Sequence, residues 1–206
     1  MGRERPGAAD RPPVVILAGG AGRRMGAPKA GLLLHGRTLL EHGVAAALAA
    51  GLRPVVIAKR DSPLPAIAIE RWDEPDEPRH PLAGVTAALD RAGGPVVVLP
   101  ADLPGVVGSL LRELADRPEP LVVVEAAGRL HPLLGRFDPA HATSLRAAAH
   151  DGAAVVPTVL GLGAVRLDDE AVRRHGDPAT LLANVNRPED LAALQRRRPP
   201  TDAGPA

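Results

Sequence analysis

Short runs of aliphatic, often β-branched residues alternate along the chain with longer Ala/Leu-rich stretches whose apolar positions recur every three or four residues. Residues 14–18 form a continuous apolar run, as expected of a strand buried on both faces, and lead into a glycine- and arginine-rich loop that reaches Ala30. Thr38 and Glu41 stand at capping-box spacing, so a helix is expected to open there and to stop at Gly51. Residues 54–58 read as a second strand and 66–69 as a third, while the proline- and acid-rich stretch 70–81 reads as a loop. A helix over 82–92, closed by Gly93 and Gly94, precedes a fourth strand at 96–99. That strand runs into Pro100-Ala101-Asp102-Leu103-Pro104. Farther on, the pattern predicts a helix through 110–116, two pairing strands at 121–125 and 130–137, and a helix over 138–150. An extended piece at 164–167 and a last helix at 187–195 follow.

Strand–helix alternation at this spacing predicts an α/β fold with a single doubly wound, mostly parallel sheet. One domain is expected over residues 13–196, with residues 1–12 and 197–206 as disordered tails because they are rich in proline, glycine and charge. In such sheets ligands gather beyond the carboxyl ends of the strands. The loops after the first and third strands and Asp102 after the fourth all fall there, so they are expected to converge on one site.

Composition narrows the chemistry. Of 206 residues, 45% are hydrophobic but only 1% aromatic (Trp72 and Phe137), so the core must be aliphatic and no platform exists for stacking bases. With a net charge of +1 as well, nucleic acid is not an expected partner. The absence of cysteine excludes disulfides, thiolate zinc sites and a cysteine nucleophile, and fits a cytoplasmic location. No apolar run approaches the roughly 18 residues of a membrane span, and residues 1–13 lack the core of a signal peptide. Neither an H-E-x-x-H pair nor a G-x-S-x-G elbow is present.

The densest signal is the loop over 17–29, which puts four glycines, Arg23, Arg24 and Lys29 within eleven positions from Gly19. Glycines let backbone N–H groups approach an anion closely, and three fixed positive charges suit a polyphosphate better than a single carboxylate. The dinucleotide fingerprint does not fit, because Met25 stands where its last glycine would be. A Walker A loop does not fit either, because Lys29 lies between Pro28 and Ala30. Asp102 closes an apolar strand opposite this loop. One carboxylate suffices for Mg²⁺ when a triphosphate completes the coordination shell, although a turn or helix-cap aspartate would look the same in sequence.

The string L-A-G-G-x-G-R-R-M-G-x-x-K at 17–29 is joined, in order, by three further stretches: Pro81-Leu82-Ala83-Gly84-Val85, Pro100-Ala101-Asp102-Leu103-Pro104, and Asn184-Val185-Asn186-Arg187-Pro188-Glu189-Asp190-Leu191. Together they resemble the motifs of the molybdenum cofactor guanylyltransferase family, over residues 14–194. The resemblance implies a Rossmann-like nucleotidyltransferase fold and Mg²⁺-dependent transfer of GMP from GTP to the phosphate of a molybdenum–molybdopterin cofactor, with release of pyrophosphate. It also implies transient contact with enzymes that make or receive the cofactor. By the same resemblance, Leu17, Ala18, Gly19, Gly20, Gly22, Arg23, Lys29, Asp73 and Asp102 bind nucleotide, Asp102 holds the metal, and Lys29, Arg24 and Asp102 are catalytic. His131 and Asn184 are assigned to the acceptor. Asn186 reads as the N-cap of the last helix, with Pro188 in its first turn and Glu189 three residues on. The chain departs from the family in two places. Where the family has an asparagine at the end of the second strand it has Ala58-Lys59, and where the family has basic residues near Gly152 it has Ala153 and Ala154. A related cytidylyltransferase, a sugar-1-phosphate nucleotidyltransferase and a non-catalytic nucleotide-binding protein remain alternatives.

Overall fold

A computed structural model describes residues 11–19 and 28–197. Val14–Leu17 (β1) pairs in parallel with Pro54–Lys59 (β4) on one side and with Val96–Pro100 (β6) on the other. Glu70–Glu74 (β5) adds outside β4, again parallel. Arg129–Phe137 (β8) runs antiparallel to β6 and to Leu121–Ala126 (β7), and Val165–Leu167 (β9) closes the far edge parallel to β7. The order β5-β4-β1-β6-β8-β7-β9 thus has seven strands with β8 alone reversed. A small antiparallel hairpin, Leu33–Leu34 (β2) with Arg37–Thr38 (β3), stands apart from this sheet.

Strand alternation divides the core into two layers. Ile16, Val56, Val97 and Leu99 point toward Leu39–Ala49 (α1) and Gly108–Asp116 (α3). Val15, Val55, Ile57, Trp72 and Val98 point toward Pro81–Ala92 (α2) and Ala142–His150 (α4). The Thr38–Glu41 capping box opens α1 as expected, and Gly93, at φ 62°, closes α2 in the left-handed conformation. Short helices Val155–Gly161 (α5), Asp169–Arg173 (α6) and Pro178–Leu181 (α7) fill stretches that carry no strong periodicity, and Pro188–Gln195 (α8) ends the described chain. A third, small cluster of Leu34, Leu39, Val185 and Leu194 pins the α7–α8 connection against the β2–β3 hairpin.

One strand is displaced from its expected position. Residues 66–69 are irregular, and the third parallel strand is Glu70–Glu74, inside the stretch read as a loop. Only Trp72 of its five residues is buried, so an edge strand carrying one apolar anchor presented a charged, loop-like sequence.

Candidate active site

The chain leaves β1 for β4 and β5 on one side, then returns to β6 on the other, which makes the gap beyond the carboxyl ends of β1 and β6 a topological switch point. A cavity of about 1060 Å³ opens there. Ala18 donates its N–H to Ile57 O and Ala101 donates to Leu17 O, so the sheet's hydrogen bonding carries both loop entrances into the cavity wall.

Lys29 lies in a short 3₁₀ turn, Lys29–Gly31, that lines this cavity, and its Nζ is 3.3 Å from Asp102 Oδ2. The same Nζ donates to Asn186 Oδ1 at 2.6 Å. Val185 N–H donates to the backbone carbonyl of Asp102 at 2.9 Å, so residues separated by more than eighty positions are held as one unit. Both side chains of the Lys29–Asp102 pair remain about one-fifth exposed, open to a ligand from the cavity.

Asn186 therefore does not cap α8. The helix begins one residue later, with Arg187 at the N-cap and Pro188 at the first position. The Asp190 carboxylate accepts from the N–H groups of Asn186 and Arg187 at 2.9 and 2.8 Å. With that end satisfied, the Asn186 side chain is free to face Lys29. Asn184 is half-buried with its Oδ1 enclosed and without a hydrogen-bond partner among the described residues.

On β5 the structure separates two adjacent acids. Asp73 points away from the cavity and lies near Arg60 at 3.5 Å and Arg71 at 3.7 Å, about half exposed. Glu74, on the face it shares with Trp72, lines the cavity instead. Burial pushes the Glu74 carboxyl above the ordinary glutamate range, and the Lys59 ammonium only partly opposes this. Lys59, at the end of β4, donates to the carbonyls of Pro75 and Asp76, both at 2.8 Å. It thereby fixes the course of the loop after β5.

His131 is buried on β8 beside Val124 and outside the cavity wall, to which β8 contributes Leu133. Its burial, helped by the Arg129 charge, holds the imidazole below its ordinary value, while Asp102 acts the other way. Leu17, Ala18 and Gly19 line the cavity; Gly20, Gly22, Arg23 and Arg24 lie outside the described residues. His80 was not singled out in the sequence but also lines the cavity. It accepts from Leu82 N–H at the start of α2 and meets the Ala153 carbonyl through Nε2 at 2.9 Å. Its position immediately before Pro81 was the available cue. Glu74 stands among four acids, with Asp73, Asp76 and Glu77, that the sequence does not rank, and Lys59 drew notice only at the strand end where the resemblance expects an asparagine.

Among the described residues there is no group of three or more metal-ligating side chains, and no helix is long and apolar enough to cross a membrane. A lone carboxylate facing an open cavity still fits Mg²⁺, which takes one or two protein carboxylates and completes its shell with water and substrate phosphates.

The family model for a MobA-like NTP transferase domain matches residues 14–162. Molybdenum cofactor guanylyltransferase of Pseudomonas syringae pv. syringae is 34% identical over 199 residues, spanning 90% of this chain and 94% of that protein. The protein of the same name from Cereibacter sphaeroides is 36% identical over 195 residues, spanning 88% and 94%. Among solved structures, molybdopterin-guanine dinucleotide biosynthesis protein A from Archaeoglobus fulgidus superposes with a TM-score of 0.75 at 24% identity, covering 88% of this chain and 96% of that one.

Proposed function

The chain belongs to the MobA-like NTP transferase family, and from that premise we propose that it transfers GMP from GTP to the phosphate of a molybdenum–molybdopterin cofactor. The observation that carries this reading is the meeting of Lys29, Asp102 and Asn186 at the sheet's switch point, facing a cavity large enough for a nucleotide.

The reaction is an in-line displacement. An acceptor phosphate oxygen forms a bond to the α-phosphorus of GTP as the bond to the β-phosphate bridging oxygen breaks, and pyrophosphate leaves with that electron pair. The acceptor is already ionised at neutral pH, so no general base is required, and catalysis rests on positioning and charge neutralisation. Lys29 is held from two sides and supplies a preorganised donor for the α-phosphate oxygens. Asn186 fixes its direction. Arg23, Arg24 and the glycine N–H groups of the loop hold the β- and γ-phosphates, and Arg24 supports the transition state. Asp102 would hold Mg²⁺, whose contribution when bound is to neutralise phosphate charge and template the triphosphate. In the absence of ligand, Lys29 neutralises Asp102 and keeps a bare carboxylate from facing the cavity alone. Asn184 and His131 are the candidates on the acceptor side.

The test is pyrophosphate release with each of the four nucleoside triphosphates, Mg²⁺ and the molybdopterin acceptor. GTP-dependent release that requires the acceptor is expected. Release from CTP at an equal rate would move the protein to the cytidylyl relatives, and nucleotide binding without any release would make it a sensor.

A further inference from the structure

A second cavity, of about 260 Å³, shares no lining residue with the catalytic one. Its walls come from the β2–β3 hairpin, α1, the loop between β6 and α3, α7 and the end of α8. The ionisable side chains that line it are His35, Arg37, His42 and Arg197, all basic, and among the described residues no acid joins them. We propose that this cavity is a second anion site, which takes a phosphate or pyrophosphate group between Arg37, Arg197 and His35. Such a site is independent of the chemistry proposed for the catalytic cavity.

A cleft lined by charges of one sign concentrates counter-ions, most strongly where low-dielectric walls focus the field. Leu34, Ala46, Val106 and Leu194 supply such walls here. Among the described residues neither the Arg37 nor the Arg197 guanidinium forms a hydrogen bond or an ion pair. The carboxylates within their electrostatic reach are Glu41 and Asp177, and each is committed to a helix start, Glu41 in the capping box of α1 and Asp177 at the N-cap of α7. Guanidinium groups left in this way match the paired oxygens of a phosphate. His42 is held through Nε2 on the Leu34 carbonyl at 2.9 Å and so fixes α1 against the hairpin. His35 occupies the first position of a two-residue hairpin turn at φ 49°, followed by Gly36 at 78°. That turn favours asparagine, aspartate or glycine, so a histidine that lines the cavity is kept there at some conformational cost.

The cavity also lies behind all three segments that carry the Lys29–Asp102–Asn186 meeting. The hairpin follows the Lys29 turn, the loop 104–107 follows Asp102, and α7 and α8 flank Asn186. Gly105 packs so closely on α7 that no Cβ would fit beside the Thr180 and Leu181 carbonyls. Gln195 Nε2 donates to Leu33 O at 3.3 Å, a first tie between α8 and the hairpin. An anion between Arg37 and Arg197 forms a second tie across the two segments whose Lys29 and Asn186 meet at 2.6 Å.

The experiment is a nuclear magnetic resonance titration of the isotope-labelled full chain, without Mg²⁺, using inorganic phosphate and then pyrophosphate. Wild type, Arg37→Gln and Arg197→Gln are compared. In wild type the backbone amide signals of His35 and Gly105 should shift saturably, with a Kd of about 1 mM or less for the better ligand. Each arginine variant should weaken that binding by at least about 10-fold, because it removes a charge-assisted donor. Pyrophosphate binding more tightly than phosphate identifies the product of the proposed transfer as the ligand, and equal affinity identifies a single phosphate group. Shifts confined to Ala18, Gly19 and Lys29 would place the anion in the catalytic cavity and overturn the proposal without recourse to any variant. So would the absence of a saturable shift at His35 and Gly105 up to about 10 mM of either probe. Unchanged affinity at His35 and Gly105 in both arginine variants overturns it as well.

Discussion

Glu70 and Glu74 sit at opposite ends of one five-residue strand, on the same face as Trp72, and their surroundings differ in kind. At the amino end, Glu70 accepts from Arg53 at 2.5 Å and from the Trp72 indole at 2.7 Å, and Arg53 lies over the Trp72 ring at 5.8 Å. Both Glu70 carboxylate oxygens and the Trp72 indole N–H have a partner within the protein. At the carboxyl end, Glu74 is more deeply buried and less well partnered, and Lys29 and Asp102 face the same cavity across a single 3.3 Å contact. Protein stability favours the first arrangement; binding requires the second, because groups already satisfied by the protein have nothing left to offer a ligand. Identical residue types thus stand in opposite settings according to which end of the strand they occupy.

Four perturbations test that contrast. The largest effect is expected at the carboxyl end: Lys29→Ala and Asp102→Asn should each lower kcat by about 10²–10³. The thermal unfolding midpoint should fall only slightly: each variant leaves its partner's charge unpaired, but that charge is partly exposed to the water-filled cavity. Variants that lose activity only by unfolding would place the pair among the stabilising contacts. Next, Asn186→Ala frees the Lys29 ammonium and should reduce kcat about 10-fold with KM for GTP nearly unchanged, as expected of misdirected catalytic geometry. Because Asp190 caps α8, little stability should be lost. A destabilisation of about 0.5–2 kcal/mol with normal kcat would instead mark Asn186 as a helix cap.

At the amino end the readouts exchange roles. Glu70→Ala leaves the indole N–H of buried Trp72 without its acceptor and should cost about 1–3 kcal/mol in urea unfolding, most of it from that orphaned donor, because the exposed pair with Arg53 adds little. Turnover per folded molecule should equal wild type; a selective loss of kcat would erase the distinction between the two ends. The smallest effect concerns pH. Glu74 has a raised carboxyl pKa, so between the ordinary glutamate value and that raised value the native protein binds more protons than the unfolded chain. Stability should therefore fall as the pH climbs through this window, and the deficit should persist above it. In Glu74→Gln that part of the pH dependence should vanish, leaving the ligand-free variant slightly more stable near neutrality. Unfolding curves of both proteins from pH 4 to 8 check the sign.

How much of this was legible beforehand depended on whether the information was local. The apolar runs of β1, β4 and β6, the Thr38–Glu41 capping box and the Gly93 stop were visible in sequence because burial on both faces, capping spacing and left-handed backbone leave marks within a few residues. The family was also legible, through four short motifs, and the family model and the relatives bear that reading out. The strand Glu70–Glu74 was not, because an edge strand with one buried residue has no apolar run to show. Two pairs of neighbouring polar residues were resolved only by the fold. Asp73 and Glu74 differ by one step of strand alternation, which turns one toward solvent and the other into the cavity. Asn184 and Asn186 share a segment whose roles depended on where α8 begins, and a one-residue shift of that start handed the capping to Asp190 and released Asn186 to Lys29. The sequence by itself determined the mostly parallel α/β architecture and the inventory of candidate site residues, since both follow from short-range pattern. Tertiary structure alone decided which of those residues meet. The contact of Lys29 with Asp102 and Asn186 spans 73 and 157 positions, and only the packing that brings β1, β6 and the α7–α8 connection to one switch point sets it.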